Sequence, residues 1–159
     1  ELGRRSGIPV LLNPAPATKD LAIDRVCACD FFVPNETELA ILTEMPTATQ
    51  EDVEHAATFL LEKGLKNVIV TLGGRGVLWM TKAEEYYVPA CHVDATDTSG
   101  AGDAFIGCFS SSYVQDGDIL AAIRKASAFA ALSVTRKGTQ MSYPDRAAFA
   151  AFLAQQGRQ

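Results

Sequence analysis

The sequence predicts an α/β domain with a mostly parallel sheet flanked by helices. Short apolar runs at 8–12, 31–33 and 67–72 are too brief for helices, and each stops at a Pro or Gly signal. Stretches with helical spacing alternate with them, above all 49–64 and 104–133. The Val-Ile-Val run at 68–70 does not alternate with polar residues, as expected of a strand buried on both faces.

Ile8–Leu12 is the first expected strand, stopped and stiffened by Asn13-Pro14-Ala15-Pro16. In a parallel sheet that loop lies at the carboxyl edge, where ligands bind. Residues 20–29 read as a short, weak helix, and Phe31-Phe32-Val33 as a buried strand. Asn35 followed three residues later by Glu38 has the spacing of a capping box for a helix through Leu42. A second reading of Glu38 is open: a carboxylate at a strand's end can hold Mg²⁺ through water.

Thr49 opens a helix, with Val53, Ala56, Ala57, Leu60 and Leu61 on one apolar face and Gly64 at its end. His55 falls off that stripe and is expected in solvent. Asn67–Leu72 is a strand, and Gly73-Gly74-Arg75-Gly76 a turn into the apolar Val77–Met80. Tyr86–Pro89 reads as an antiparallel or edge strand because of its proline. A strand-like stretch is expected to end near Val93.

Ala104–Val114 is small and apolar nearly all round, the mark of a buried helix, with Gly107 allowing close packing. Asp118–Ser133 is a further helix, with Ile119, Ile123, Ala126 and Ala130 facing the core. Residues 134–140 form a loop. Ser142 and Asp145 are expected to cap a last helix whose face is Phe149, Phe152 and Leu153.

The 159 residues suit one domain able to bury roughly two-thirds of its unfolded surface. A net charge of −5 without a basic run argues against a nucleic-acid surface. No apolar stretch reaches membrane-spanning length. The start, Glu1-Leu2-Gly3-Arg4-Arg5, lacks a secretory apolar core and reads as a helix tail running into a strand. Cys27, Cys29, Cys91 and Cys108 lack paired metal spacing and are expected as reduced small hydrophobes of a cytoplasmic chain.

The chemistry concentrates in Asp97-Thr98-Ser99-Gly100-Ala101-Gly102-Asp103. Two glycines around one small residue let backbone approach a ligand, and the helix that follows directs unpaired N–H groups into the gap. A phosphate fits there. Asp103 at the helix start is wrong for holding an anion and right for taking a proton from an attacking hydroxyl. The competing reading is a tight turn closed by an N-capping Asp. The run lacks the Gly-Lys-Ser/Thr end of a Walker A loop and the third glycine of a dinucleotide fingerprint. For Asp97 the local reading is a turn-stabilising side-chain bond.

Asp97 through Phe105 resembles the C-terminal signature of the ribokinase-like (PfkB) sugar kinases, most of all its ribokinase branch. Asn13–Pro16, Asn35–Glu38, Thr71–Gly76 and Val134–Gly138 agree in order, and the likeness covers only the C-terminal half of a family chain. The resemblance implies transfer of the ATP γ-phosphate to a sugar hydroxyl, D-ribose first. Asp103 would be the base and would touch the sugar, with the Gly100, Ala101 and Gly102 amides as anion hole. It further implies ATP contacts at Asn35, Thr71, Leu72, Gly73, Gly74, Arg75, Gly76, Gly102, Asp103 and Ser127. Glu38 would serve Mg²⁺, and a potassium-type ion would lie by Asp97, Ser99, Ser133, Arg136, Gly138 and Ser142. Arg136-Lys137 would form a wall on the ATP side. The sugar-contacting residues and lid belong to the N-terminal half, so the fold is expected to be incomplete, with an open sheet edge suited to a homodimer. The alternatives are another sugar or nucleoside kinase of the family, and a non-catalytic nucleotide-binding remnant.

Overall fold

The computed structural model describes residues 2–156. The chain divides into two compact units, Glu1–Gly73 with Val77–Tyr87, and Gly74–Gly76 with Val88–Gln159. Strands β1 (Leu11–Leu12), β2 (Phe31–Phe32), β3 (Asn67–Thr71), β4 (Gly76–Met80) and β5 (Glu85–Pro89) form one sheet in the order β1-β2-β3-β4-β5. β1 and β2 are parallel, as are β2 and β3, whereas β4 is antiparallel to β3. The sheet is therefore mixed rather than mostly parallel. A single 3₁₀ turn, Gly73–Arg75, joins β3 to β4, and a parallel return needs a crossover of a dozen or more residues.

In the first unit, α1 (Leu2–Ser6), α2 (Ile23–Val26), α3 (Glu36–Thr43) and α4 (Gln50–Glu62) accompany the strands. α4 forms as its spacing requires. Thr49 caps it by accepting from the Asp52 N–H at 3.1 Å, and Asp52 accepts from the Thr49 N–H at 2.9 Å. Such a cap contributes about 1 kcal/mol. Val53, Ala56, Ala57, Leu60 and Leu61 are buried, and His55 is exposed. They join Phe32, Leu39, Val68, Val70 and Leu78 in one apolar cluster. Each such large side chain withdrawn from water is worth about 1.5–3 kcal/mol.

Polar bonds fix the register at the amino ends of the strands. Asp30 accepts from the Val10 N–H at 3.0 Å and from Lys66 at 2.7 Å. Asn67 donates to the Asp30 carbonyl at 2.9 Å and accepts from the Trp79 indole at 3.1 Å. The first strand is shorter than expected, although Val10 O still accepts from the Asp30 and Phe31 amides. The expected helix 20–29 shrinks to Ile23–Val26, whose N-cap Ala22 makes no side-chain bond.

The second unit holds α5 (Ala101–Asp116), α6 (Ile119–Ser133) and α7 (Arg146–Gln156), with α6 packed against both others. α5 is one-sided rather than buried all round. It buries Ala104, Phe105, Phe109 and Ser112, while Val114 is 81% exposed. Gly107 is exposed, and a Cβ there would meet nothing within 4 Å, so it serves no close packing. A helix of small residues gives little contrast between its faces, so pattern alone misplaces the boundary. Residues 90–96 contain no strand, which corrects the stretch expected near Val93. Asp145 accepts from the Ala148 N–H at 2.8 Å and caps α7. Ser142 does not cap it; its hydroxyl donates to the Thr139 carbonyl at 2.7 Å, closing the 3₁₀ turn Gln140–Ser142.

Gly76 has φ +115°, and an added Cβ would strike the Val88 carbonyl oxygen and lie 2.8 Å from the Ala90 nitrogen. Neither backbone atom can step aside. Gly76→Ala should destabilise the protein by about 2–5 kcal/mol, the sum of a left-handed backbone and overpacking. A urea titration with an unchanged midpoint would contradict this.

Candidate functional site

In the first unit the carboxyl ends of three strands come into line. The Asn13 side-chain amide donates to the Val33 carbonyl at 2.7 Å, tying the loop after β1 to the end of β2. The Thr71 N–H donates to the Pro34 carbonyl at 3.0 Å, and Asn35 and Thr71 form an isolated parallel bridge. This is the edge at which parallel strands present ligands.

Asn35 caps α3 as expected. Its Oδ1 accepts from the Glu38 N–H at 2.9 Å, and Glu38 Oε2 accepts from the Asn35 N–H at 2.8 Å. One carboxylate oxygen of Glu38 is thus fixed at a strand's end. Gly73, Gly74 and Arg75 are exposed in their turn, and Thr71 is half-exposed. Two neighbours behave otherwise. Leu72 is 3% exposed with its side chain in the apolar cluster, which leaves its backbone to offer. Gly76 is buried and required by the backbone of Val88–Ala90.

In the second unit the turn before α5 is built around Gly100, which caps the helix at φ +77°. The helix begins at Ala101, so Asp103 is its third residue rather than its cap. The Ala101 N–H donates to the Thr98 carbonyl at 3.2 Å and so already has an acceptor within the turn. The Gly100 carbonyl accepts from the Ala104 N–H at 2.9 Å, the first bond of the helix. The Gly100, Gly102 and Asp103 amides meet no acceptor among the described residues. A Cβ on Gly102 would meet nothing within 4 Å, so that side of Gly102 is open. Asp103 is exposed beside it.

Asp97 braces this turn. Its Oδ1 accepts from the Ser99 N–H at 3.0 Å and its Oδ2 from the Gly138 N–H at 2.9 Å. The Val134 carbonyl accepts from the Thr96 and Asp97 amides at 2.7 and 3.1 Å. The Gly138 amide, then the Ser99 amide and hydroxyl, pull the Asp97 carboxyl down to about 2. A folded value below the unfolded one stabilises the protein above the unfolded value near 4, and that contribution is lost as pH falls through about 2. Between pH 4 and 2 the urea midpoint should therefore fall more steeply in the wild type than in Asp97→Asn; equal slopes would contradict it.

Among the remaining candidates, Gly138 meets Asp97 through its amide, and Ser99 adjoins it. Ser133 is buried, its hydroxyl donating to the Ala130 carbonyl at 2.8 Å, and Ser142 is buried in its turn. Arg136 and Lys137 are exposed, and Ser127 is buried on α6. No disulfide joins any of the four cysteines, and burial is the first cause that raises the thiols of Cys27, Cys91 and Cys108. No group of three or more His, Cys, Asp or Glu stands ready for a metal among the described residues.

Sequence reasoning missed Tyr143. Its hydroxyl donates to the Gly100 carbonyl at 3.2 Å, across 43 positions. Burial, then the charge of Asp103, pushes its phenol above the ordinary value. No local pattern announces such a pairing.

The chain belongs to the pfkB family of carbohydrate kinases, whose model matches residues 1–146. It is 58% identical over 154 residues to a deoxyribokinase of Salmonella typhi, covering 97% of this chain and 50% of that protein. It is 37% identical over 153 residues to a ribokinase of Haemophilus influenzae, covering 96% and 50%. The Arabidopsis thaliana ribokinase solved with ribose and ATP superposes with a TM-score of 0.88 at 32% identity, covering 94% of this chain and 48% of that one. A putative Ribokinase II of E. coli solved with ATP and Mg²⁺ matches with a TM-score of 0.80 at 27% identity, covering 96% and 50%. A Vibrio cholerae fructokinase double mutant solved with fructose, ADP and potassium gives 0.79 at 28%, covering 95% and 52%. The chain thus spans about half the length of the relatives it matches. No described helix is long and apolar enough to cross a membrane.

Proposed function

We propose that the full-length protein transfers the γ-phosphate of ATP to a hydroxyl of a pentose, with Asp103 as the base. The observation that carries this reading is the Gly100–Asp103 turn. It sets partnerless helix-terminal amides and an exposed carboxylate side by side, in the stretch that resembles the family's signature. A helix N-terminus of that kind accepts phosphate oxygens, and donors fixed in advance stabilise the charge of the moving group. With Ala101 engaged by Thr98, the anion hole is formed by the Gly100, Gly102 and Asp103 amides. Asp103 takes the proton of the acceptor hydroxyl as its oxygen attacks the γ-phosphorus, and ADP leaves with the bridging electrons.

Asn35, Thr71, the Leu72 backbone, Gly73, Gly74 and Arg75 are assigned to ATP by the resemblance. The first three positions lie on the strand-end edge, and the last three are exposed. The buried Ser127 and Gly76 are weaker members, since each is held by packing. Glu38 fits Mg²⁺ through water, because its cap leaves a carboxylate oxygen at the strand end. Mg²⁺ would neutralise phosphate charge when bound. Asp97, with backbone carbonyls of the 133–142 stretch, offers the oxygen ligands that an alkali cation prefers. Such an ion would reinforce the brace behind the turn. The E. coli and Vibrio cholerae relatives support the two ions.

D-ribose is the acceptor the sequence suggests. The higher identity to a deoxyribokinase, 58% against 37% for a ribokinase, favours 2-deoxy-D-ribose as a second reading. Steady-state turnover of the full-length protein with ATP and each pentose separates them. The reading requires phosphorylation of at least one; ATP binding without phosphorylation of either would leave the non-catalytic alternative. The cytoplasm and a homodimer remain part of the proposal.

A further inference from the structure

We propose that Tyr143 is a positioning residue of the phosphoryl-transfer turn, holding the Gly100 peptide so that the amides after it stay aimed at the transferred group. The inference rests on the function proposed above. Gly100 is the hinge of the turn: at φ +77° it occupies a region that glycine enters and leaves readily. A glycine linking a loop to a helix start keeps one peptide orientation only if something outside the helix holds it. The Tyr143 hydroxyl does so, donating at 3.2 Å to the same carbonyl that accepts the first helical bond from Ala104.

The phenol is itself held. Phe129 meets its ring edge-on at 6.0 Å and 61°, and Phe149 meets Phe129 at 5.1 Å and 85°. α6 and α7 thus deliver one hydroxyl to one carbonyl. A Cβ on Gly100 would stand 3.2 Å from the Tyr143 oxygen and 3.3 Å from Thr139 Cβ, so the turn and its brace are fitted to each other. Tyr143 is not among the residues that the family signature assigns, and it acts through Gly100.

The test is Tyr143→Phe in the full-length protein, which keeps the ring and removes the donor. Hydrogen exchange over residues 98–104, read at the bonded Ser99, Ala101 and Ala104 amides without ligand, should quicken about fivefold, the worth of one neutral hydrogen bond. Exchange elsewhere should stay unchanged, and kcat should fall by about the same factor with KM for ATP within about twofold. Unchanged exchange over 98–104 overturns the proposal whatever kcat does, as does a uniform rise across the molecule. Should Tyr143→Phe fail to fold, Phe149→Leu, which loosens the ring's support and keeps the hydroxyl, is read by the same exchange criterion. If the wild type phosphorylates no pentose, the functional reading falls, and exchange alone still decides whether Tyr143 holds the turn.

Discussion

Asp103→Asn is expected to lower kcat by about 10²–10⁴-fold, the range over which a positioned general base contributes. The amide is nearly isosteric and cannot take the acceptor's proton. ATP should bind at least as well, because the substitution removes a negative charge from beside the phosphates, and like charges at close range repel. The fold should barely notice. Asp103 is exposed in the first turn of α5, where a carboxylate's favourable meeting with the helix N-terminus is worth about 0.3–1 kcal/mol. Steady-state kinetics and an ATP titration on the same preparation separate the two effects. An Asn variant retaining more than about a tenth of wild-type kcat would remove Asp103 from the role of base.

What was legible in the sequence was local. The α4 stripe, its Thr49 cap and the Asn35–Glu38 box each lie within a few residues, and each took the expected form. The glycines and acid of the 97–103 stretch were legible for the same reason. Errors arose where distant contacts decide. The turn at Gly73–Arg75 was visible, yet its consequence, an antiparallel β4, sets the sheet's class only when summed with the other pairings. α5 was misjudged because small residues hide which face is buried. Ser142 and Asp145 both have cap chemistry, and only the chain path shows that one closes a 3₁₀ turn while the other starts α7. In the site, the acceptor of the Ala101 amide was not legible, since a bond to a carbonyl three positions back depends on the turn's shape. The Asp97–Gly138 and Tyr143–Gly100 bonds span 41 and 43 positions, and no spacing rule reaches that far.

The two glycines of the turn should respond oppositely to one methyl group. Gly102 lies in the first turn of α5 without a left-handed backbone, and nothing stands within 4 Å of a Cβ placed on it. Gly102→Ala should therefore leave stability unchanged or raise it by up to about 1 kcal/mol, since alanine is the better helix former. On the proposed reading, the methyl would nevertheless intrude on the open space beside Gly102 that the phosphoryl group occupies. Losing a prearranged donor typically costs about 10²–10³-fold in kcat, and a comparable loss is expected with ATP binding weakened. Gly100→Ala meets the reverse situation in the fold. At φ +77°, with Tyr143 and Thr139 atoms 3.2–3.4 Å from the new Cβ, it should cost about 1–2 kcal/mol of stability from the backbone alone. Measured together, thermal midpoints and turnover should show one variant stable and inactive and the other both unstable and inactive. A stable Gly102→Ala variant with wild-type kcat would mean that the open space before the helix is not where the phosphoryl group travels.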